Sequence, residues 1–204
     1  MPLQIVEDIP TAMSNHDAIQ EDLQAWVAGT LVSKTSRLQK AGVIFSNPGM
    51  VAPLFNLAFS PEKLMSYKAL LILEQVAVKK PEYLLESYHA FLDQLDTITE
   101  QRAIRPLAKI TELMLLQCFK KKDPLFLEWF REEDLEKLTS QCFGWLLGPN
   151  KAAQAFAMSS LYLLGIRFPW IHTELKALIE NRYAGESPAF RARARHIFPR
   201  LSDS

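Results

Sequence analysis

Apolar side chains recur at spacings of three and four along most of this chain, and the pattern is densest between Ser60 and Leu95. One row runs Leu64, Tyr67, Leu71, Glu74, Val78, and Leu70, Leu73, Val76 and Ala77 fill the face beside it. A stripe that wide predicts a helix packed on more than one side. Pro81 forces the preceding residue out of helical angles and suits the first position of a new helix. There Tyr83, Leu84, Tyr88, Phe91, Leu92 and Leu95 continue the period. The stretch therefore predicts a helical hairpin with its corner at Lys79-Lys80-Pro81. Ser60 is placed to accept hydrogen bonds from the first turn, with Pro61 and Glu62 following at favourable positions.

The remaining chain repeats this grammar. Residues 1–14 carry prolines without a period and predict an arm. Asn15 or Asp17 caps a helix with Ile19, Leu23, Trp26, Val27, Thr30, Leu31 and Leu38 on one side, ended by Gly42. Asn47-Pro48 opens a shorter helix burying Met50, Val51, Leu54, Phe55 and Leu57. A helix from Glu100 buries Ile104, Leu107, Ile110, Leu113, Met114 and Phe119, tolerates or bends at Pro106, and closes at Lys120-Lys121-Lys122. Pro124 opens a short helix with Leu125, Leu127, Trp129 and Phe130. An acidic-headed helix then runs to Gly148-Pro149. Asn150 caps a helix holding Phe156, Ala157, Leu161 and Leu164, and Pro169 turns the chain into Trp170, Ile171, Leu175, Leu178 and Ile179. From Ser187-Pro188 to Leu201 a last helix puts Phe190, Ala194, Ile197 and Phe198 inside, with Arg191, Arg193, Arg195 and Arg200 partly outside. Period-two alternation and Gly-containing hairpin turns are missing, so the expected class is all-α.

Three corners share one character: Lys79-Lys80-Pro81, Lys122-Asp123-Pro124 and Arg167-Phe168-Pro169, with prolines 43 and 45 residues apart. Measured from those prolines, Ala69, Leu73, Val76 and Tyr83 fall in register with Ala157, Leu161, Leu164 and Ile171. In the middle unit Leu113, Leu116 and Phe119 keep the register, but Glu112 takes the place of the small residue. The pattern AxxxLxxVAxKxPEYL and the later AFAMSSLYLLGIRFPWIHTELKALIE resemble HEAT or armadillo repeats over residues 47–201. The tail from Ser187-Pro188 through FRARARHI is similar to the closing segment of small bacterial proteins of this class. The resemblance implies an α-α superhelix: one domain over 1–204, with capping helices over 15–59 and repeats over 60–201. It also implies an inner helix row that binds a protein partner. The Ser-rich loop with Met-Pro and the Lys-x-Asn-Pro of adenylosuccinate lyases are absent, and the chain is too short for that activity.

Composition narrows function mainly by exclusion. Apolar residues make up 49% and charged residues 23%, with formal net charge zero, as in an ordinary globular protein and unlike a general nucleic-acid binder. No run reaches the roughly 20 apolar residues of a membrane span, and MPLQIVEDIP has no signal-peptide pattern, so a cytoplasmic protein is expected. Cys118 and Cys142 sit inside apolar patterns and read as reduced core residues. Glu86 and His89 have Glu-x-x-His spacing but lack the second motif a di-iron site needs. His172 and Glu174 do not face each other, His16 and His196 stand alone, and Ser159-Ser160 lacks the glycines of a nucleophile elbow. No catalytic residue, metal or cofactor is assigned. The binding candidates are Arg102, Arg105 and Lys109, which share one helix face. They are expected to present a surface to a protein partner, or to pair with Glu100 and Glu112. The alternative is a nucleic-acid surface of the kind HEAT-like DNA glycosylases use, with Trp129, Trp145 or Trp170 as the aromatic element.

Overall fold

The computed structural model describes residues 16–98 and 100–201, with side chains from Asp22 onward. The arm over 1–14 and the proposed Asn15 cap lie outside the described residues, as do the side chains of Asp17 and Ile19. Eleven α-helices occur among the described residues. They are α1 (His16–Ala28), α2 (Lys34–Ser46), α3 (Val51–Ala58), α4 (Lys63–Lys79), α5 (Leu85–Leu92), α6 (Gln101–Leu115), α7 (Pro124–Trp129), α8 (Glu132–Leu147), α9 (Lys151–Leu164), α10 (Trp170–Arg182) and α11 (Pro188–Leu201). No strand occurs among these residues, and the protein is all-α. No single helix is long and apolar enough to cross a membrane.

The helices pack in two rows. In one row α2, α4, α6, α9 and α11 each contact the next. The second row is α3, α5, α8 and α10: α3 lies on α4 and α5, α5 on α8, α8 on α9, and α10 on α9 and α11. This order follows from the burial of α4 and α9. Every residue from Ala69 to Ala77 is buried, and α9 is buried from Ala153 to Leu164 except at Phe156 and Tyr162. A helix so enclosed must have neighbours on several sides. Of the residues in register across the first and third corners, Ala69, Leu73, Val76, Ala157, Leu161, Leu164 and Ile171 have no solvent exposure, whereas Tyr83 is half-buried.

Local chemistry explains where the helices begin. The Ser60 hydroxyl accepts the Glu62 amide at 3.2 Å, so Ser60 shapes the turn before α4, and Glu62 takes the cap position. Asn150 caps α9 by accepting the Ala153 amide at 3.0 Å, and its side-chain nitrogen donates to the Gln101 carbonyl at the start of α6. Asp123 caps α7 through the Leu125 amide.

Three expectations need correction. The first long helix is two: the chain breaks at Gly29–Ser33, and the Ser33 hydroxyl caps α2 by accepting the Ser36 amide at 3.3 Å. Leu31 and Val32 in the break are 67% and 56% exposed, and Gly42 lies inside α2, which runs on to Asn47 before Pro48. The Leu64–Val78 row is exposed at both ends, because the buried arc of α4 is centred on Leu70, Leu73 and Val76. In α7 the phase is shifted: Phe126 and Phe130 are buried, whereas Leu125 and Leu127 are exposed.

The middle corner differs from the other two. α6 widens into a π-helical turn over Leu116–Lys121, and Lys122 adopts the left-handed conformation at φ 53°, ψ 40°. A residue bearing Cβ costs roughly 1 kcal/mol or more there, which glycine avoids. Lys122→Gly is therefore expected to raise unfolding free energy by about 0.5–1 kcal/mol in urea melts, after the added flexibility of unfolded glycine is set against the relief. At the third corner Gly165 is required by space. A Cβ there would lie 2.0 Å from the His172 ring, whose Nε2 is 2.8 Å from the Tyr162 carbonyl oxygen. Gly165→Ala should displace that ring and cost about 1–3 kcal/mol in the same assay.

Candidate functional site

Glu112 stands at the same distance from its corner proline as Ala69 and Ala157 do from theirs. Where Ala69 and Ala157 sit fully enclosed, α6 places a carboxylate that is 2% exposed. An isolated charge at such a position is costly, so cations must reach it. Lys109, one turn earlier, donates to Glu112 Oε2 at 2.7 Å. Arg193 reaches from α11 past α9 to Glu112 Oε1 at 2.6 Å, and also donates to the Ser159 hydroxyl of α9. Ser159 is short enough to let that guanidinium pass.

A second buried carboxylate lies on α4. Glu74, 4% exposed, interrupts the apolar run of that helix. Arg105 of α6 binds it with both terminal nitrogens, at 2.7 and 3.1 Å, and Arg37 of α2 approaches to 3.9 Å. Paired, charge-assisted bonds of this kind are the strong ones. One charged ladder thus spans α2, α4, α6 and α11, crossing α9. At its centre the half-buried Phe156 of α9 gathers the cations: Lys109 Nζ stands 4.9 Å from the ring centroid, and the Arg105 and Arg193 guanidiniums stand at 5.9 and 6.0 Å. The two carboxylates lie beneath, and the cation side chains keep 16–37% of their area in solvent, so the ladder presents positive charge outward.

The structure brings together Arg105 and Lys109. Arg102 is engaged differently, by its helix cap Glu100 at 3.1 Å and over the Tyr67 ring of α4 at 5.6 Å. Of the expected partners, Glu100 pairs with Arg102 and Glu112 with Lys109, while Arg105 takes Glu74. Arg37 and Phe156 were not among the predicted site residues, and Arg193 was expected only as one of the arginines partly outside on the last helix. Their signal was the two glutamates inside otherwise apolar registers.

Other candidates resolve into structural roles. His89 Nδ1 is 3.2 Å from Asp134 Oδ2, its ring stacks on Trp129 at 5.2 Å, and Glu86 faces solvent. His172 holds the third corner. Cys118 and Cys142 are buried free thiols, and burial pushes their pKa values up to about 11 and about 12, so both remain protonated near neutrality. Among the described residues no group of three His, Cys, Asp or Glu side chains is arranged to hold a metal. Trp129 lies on α7, Trp145 is buried on α8, and Trp170 on α10 stacks on Phe143, so none of the three joins the ladder. Compared with protein-family models, curated proteins and solved structures, the chain matches none.

Glu112→Gln should cost about 1–3 kcal/mol in urea unfolding, below the usual value for breaking a buried pair because Lys109 and Arg193 can turn to water. Glu100→Gln at the exposed cap should leave the midpoint nearly unchanged. Acid stability has a separate source in Asp134 of α8. Burial pushes its carboxyl pKa up, but hydrogen bonds from the Arg131 side chain and backbone, with His89 nearby, bring it below the ordinary 3.8. Because the folded value lies below the unfolded one, this stability is complete above the unfolded pKa and is lost as pH falls through the folded value. Between about pH 5 and pH 2, the urea midpoint should fall less steeply in Asp134→Asn than in the parent protein.

Proposed function

We propose that the protein is a non-catalytic interaction module, a short HEAT-like solenoid whose α2–α4–α6–α9–α11 face docks an acidic protein partner. The observation that carries this reading is the ladder itself. Four cations stand over two buried carboxylates, on helices from both ends of the row, and three of them gather around Phe156. Support for the repeat architecture comes from the three proline corners, which coincide with the α4–α5, α6–α7 and α9–α10 junctions. Pre-ordered cations favour binding because less side-chain freedom is lost on docking. The rest of the surface balances the chain to zero net charge, which favours a local acidic epitope over long-range attraction to a polyanion. Duplex binding on the same face is the second reading. It is supported by the outward cations and weakened by the placement of Trp129, Trp145 and Trp170 away from the ladder.

Affinity capture from lysate of the source cells separates the two. The parent protein should retain a defined protein irrespective of nuclease, and Arg105→Gln/Lys109→Gln, verified folded by its thermal melt, should retain at least tenfold less. Retention unaffected by that variant would contradict the face assignment. Retention abolished by nuclease, with binding to duplex that falls steeply with salt, would favour the nucleic-acid reading.

A further inference from the structure

Beside the ladder, α9 and α11 enclose an open recess of about 330 Å³. We propose that this recess is a phosphoryl site that takes the phosphomonoester group of a ligand. The inference rests on the reading of this face as one that binds acidic groups, and it names the group.

The floor and walls are methyl groups, from Ala152 and Ala155 on α9 and Ala189 and Ala192 on α11. Short side chains at the crossing of two helices leave room for a tetrahedral oxyanion and put no carboxylate against it. The charged lining is cationic: Arg105 and Arg193 enter the recess, with His196 and the edge of Phe156 completing it. Both arginines are fixed from behind. Arg105 is held by Glu74, and Arg193 by Glu112 and Ser159. A guanidinium has five N–H donors. Arg105 commits its two terminal nitrogens to Glu74, while Arg193 meets its partners through one terminal nitrogen, so donors remain for a ligand.

Charge selects among oxyanions. Arg105 and Arg193 line the recess, and the ladder they belong to, with Arg37 and Lys109 outside the recess, sets four positive charges against the two of Glu74 and Glu112, an excess of two. A phosphomonoester carries about −1.5 to −2 near neutrality, matching that excess better than a carboxylate or a phosphodiester. Arginine forks suit its planar pairs of oxygens. The group could arrive on a phosphorylated side chain of the partner or as a free phosphate ester, and the chemistry of recognition is the same.

The test is titration of the 204-residue protein at low salt, followed by amide NMR and calorimetry, with inorganic phosphate, acetate and a phosphoserine peptide as probes. Phosphate should bind at least tenfold more tightly than acetate and shift amides of α9 and α11. Ala152→Leu/Ala189→Leu fills the recess at two exposed helical positions without changing any charge, and should weaken phosphate at least tenfold while leaving the melt intact. Arg193→Gln should weaken phosphate to a similar extent, with a lowered melt because Glu112 loses a partner. A peptide that binds more tightly than phosphate identifies a phosphorylated partner as the source. Equal affinities identify a free ester, and both results uphold the site. Phosphate binding that is unchanged by the leucine pair, or no tighter than acetate, would overturn it. Should phosphate fail while capture still depends on Arg105 and Lys109, the phosphoryl site falls and the interaction module stands. Should phosphate bind with the stated selectivity while capture ignores those residues, the reverse holds.

Discussion

Two carboxylates buried among apolar side chains organise this protein's most distinctive surface. Glu74 and Glu112 are buried among leucines, and an unpaired charge is costly at such positions. Arg105 and Lys109 of α6, Arg37 of α2 and Arg193 of α11 answer that demand, so helices distant in sequence are tied across the row by charge as well as by apolar burial. The same arrangement fixes where those cations stand. An exposed arginine explores many rotamers, whereas one anchored on a buried carboxylate is held in place before any ligand arrives.

The path from this constraint to function runs through α9. Its apolar faces pack on α6, α8 and α10, and its remaining face carries Phe156, Ser159 and the alanines at the α11 crossing. Ser159 lets Arg193 reach α6, Phe156 collects the cations, and the alanines open the recess beside them. One helix thus supplies packing for the fold and the shape of the surface. Trp129, Trp145 and Trp170 sit on α7, α8 and α10, away from the ladder, and the buried thiols are protonated.

Much of the fold was legible in the sequence, because its corners are set by local chemistry. Pro81, Pro124 and Pro169 restrict the residue before them wherever they stand, and Asn150 supplies a cap oxygen regardless of tertiary context. What the sequence hid depends on tertiary contacts. Leu31 continues a helical period on paper, yet the chain turns at Gly29, α2 packs on α4, and the Leu31 side chain is left in solvent. In α7 the Asp123 cap fixes the helix phase and buries Phe126 in place of its leucine neighbours. The face shared by Arg105 and Lys109 was readable from their spacing, but Arg193 lies 81 residues from Glu112, and no local pattern joins them. The one trace of that contact in the sequence is Glu112 standing in the register of Ala69 and Ala157.

The most direct test of this account is a double-mutant cycle on Glu112→Gln and Arg193→Gln, with unfolding free energies measured in urea. A coupling of about 1–3 kcal/mol is expected if the buried carboxylate holds the arginine across α9. A coupling near zero would mean that the two groups do not depend on each other, and would contradict the ladder on which the functional reading stands.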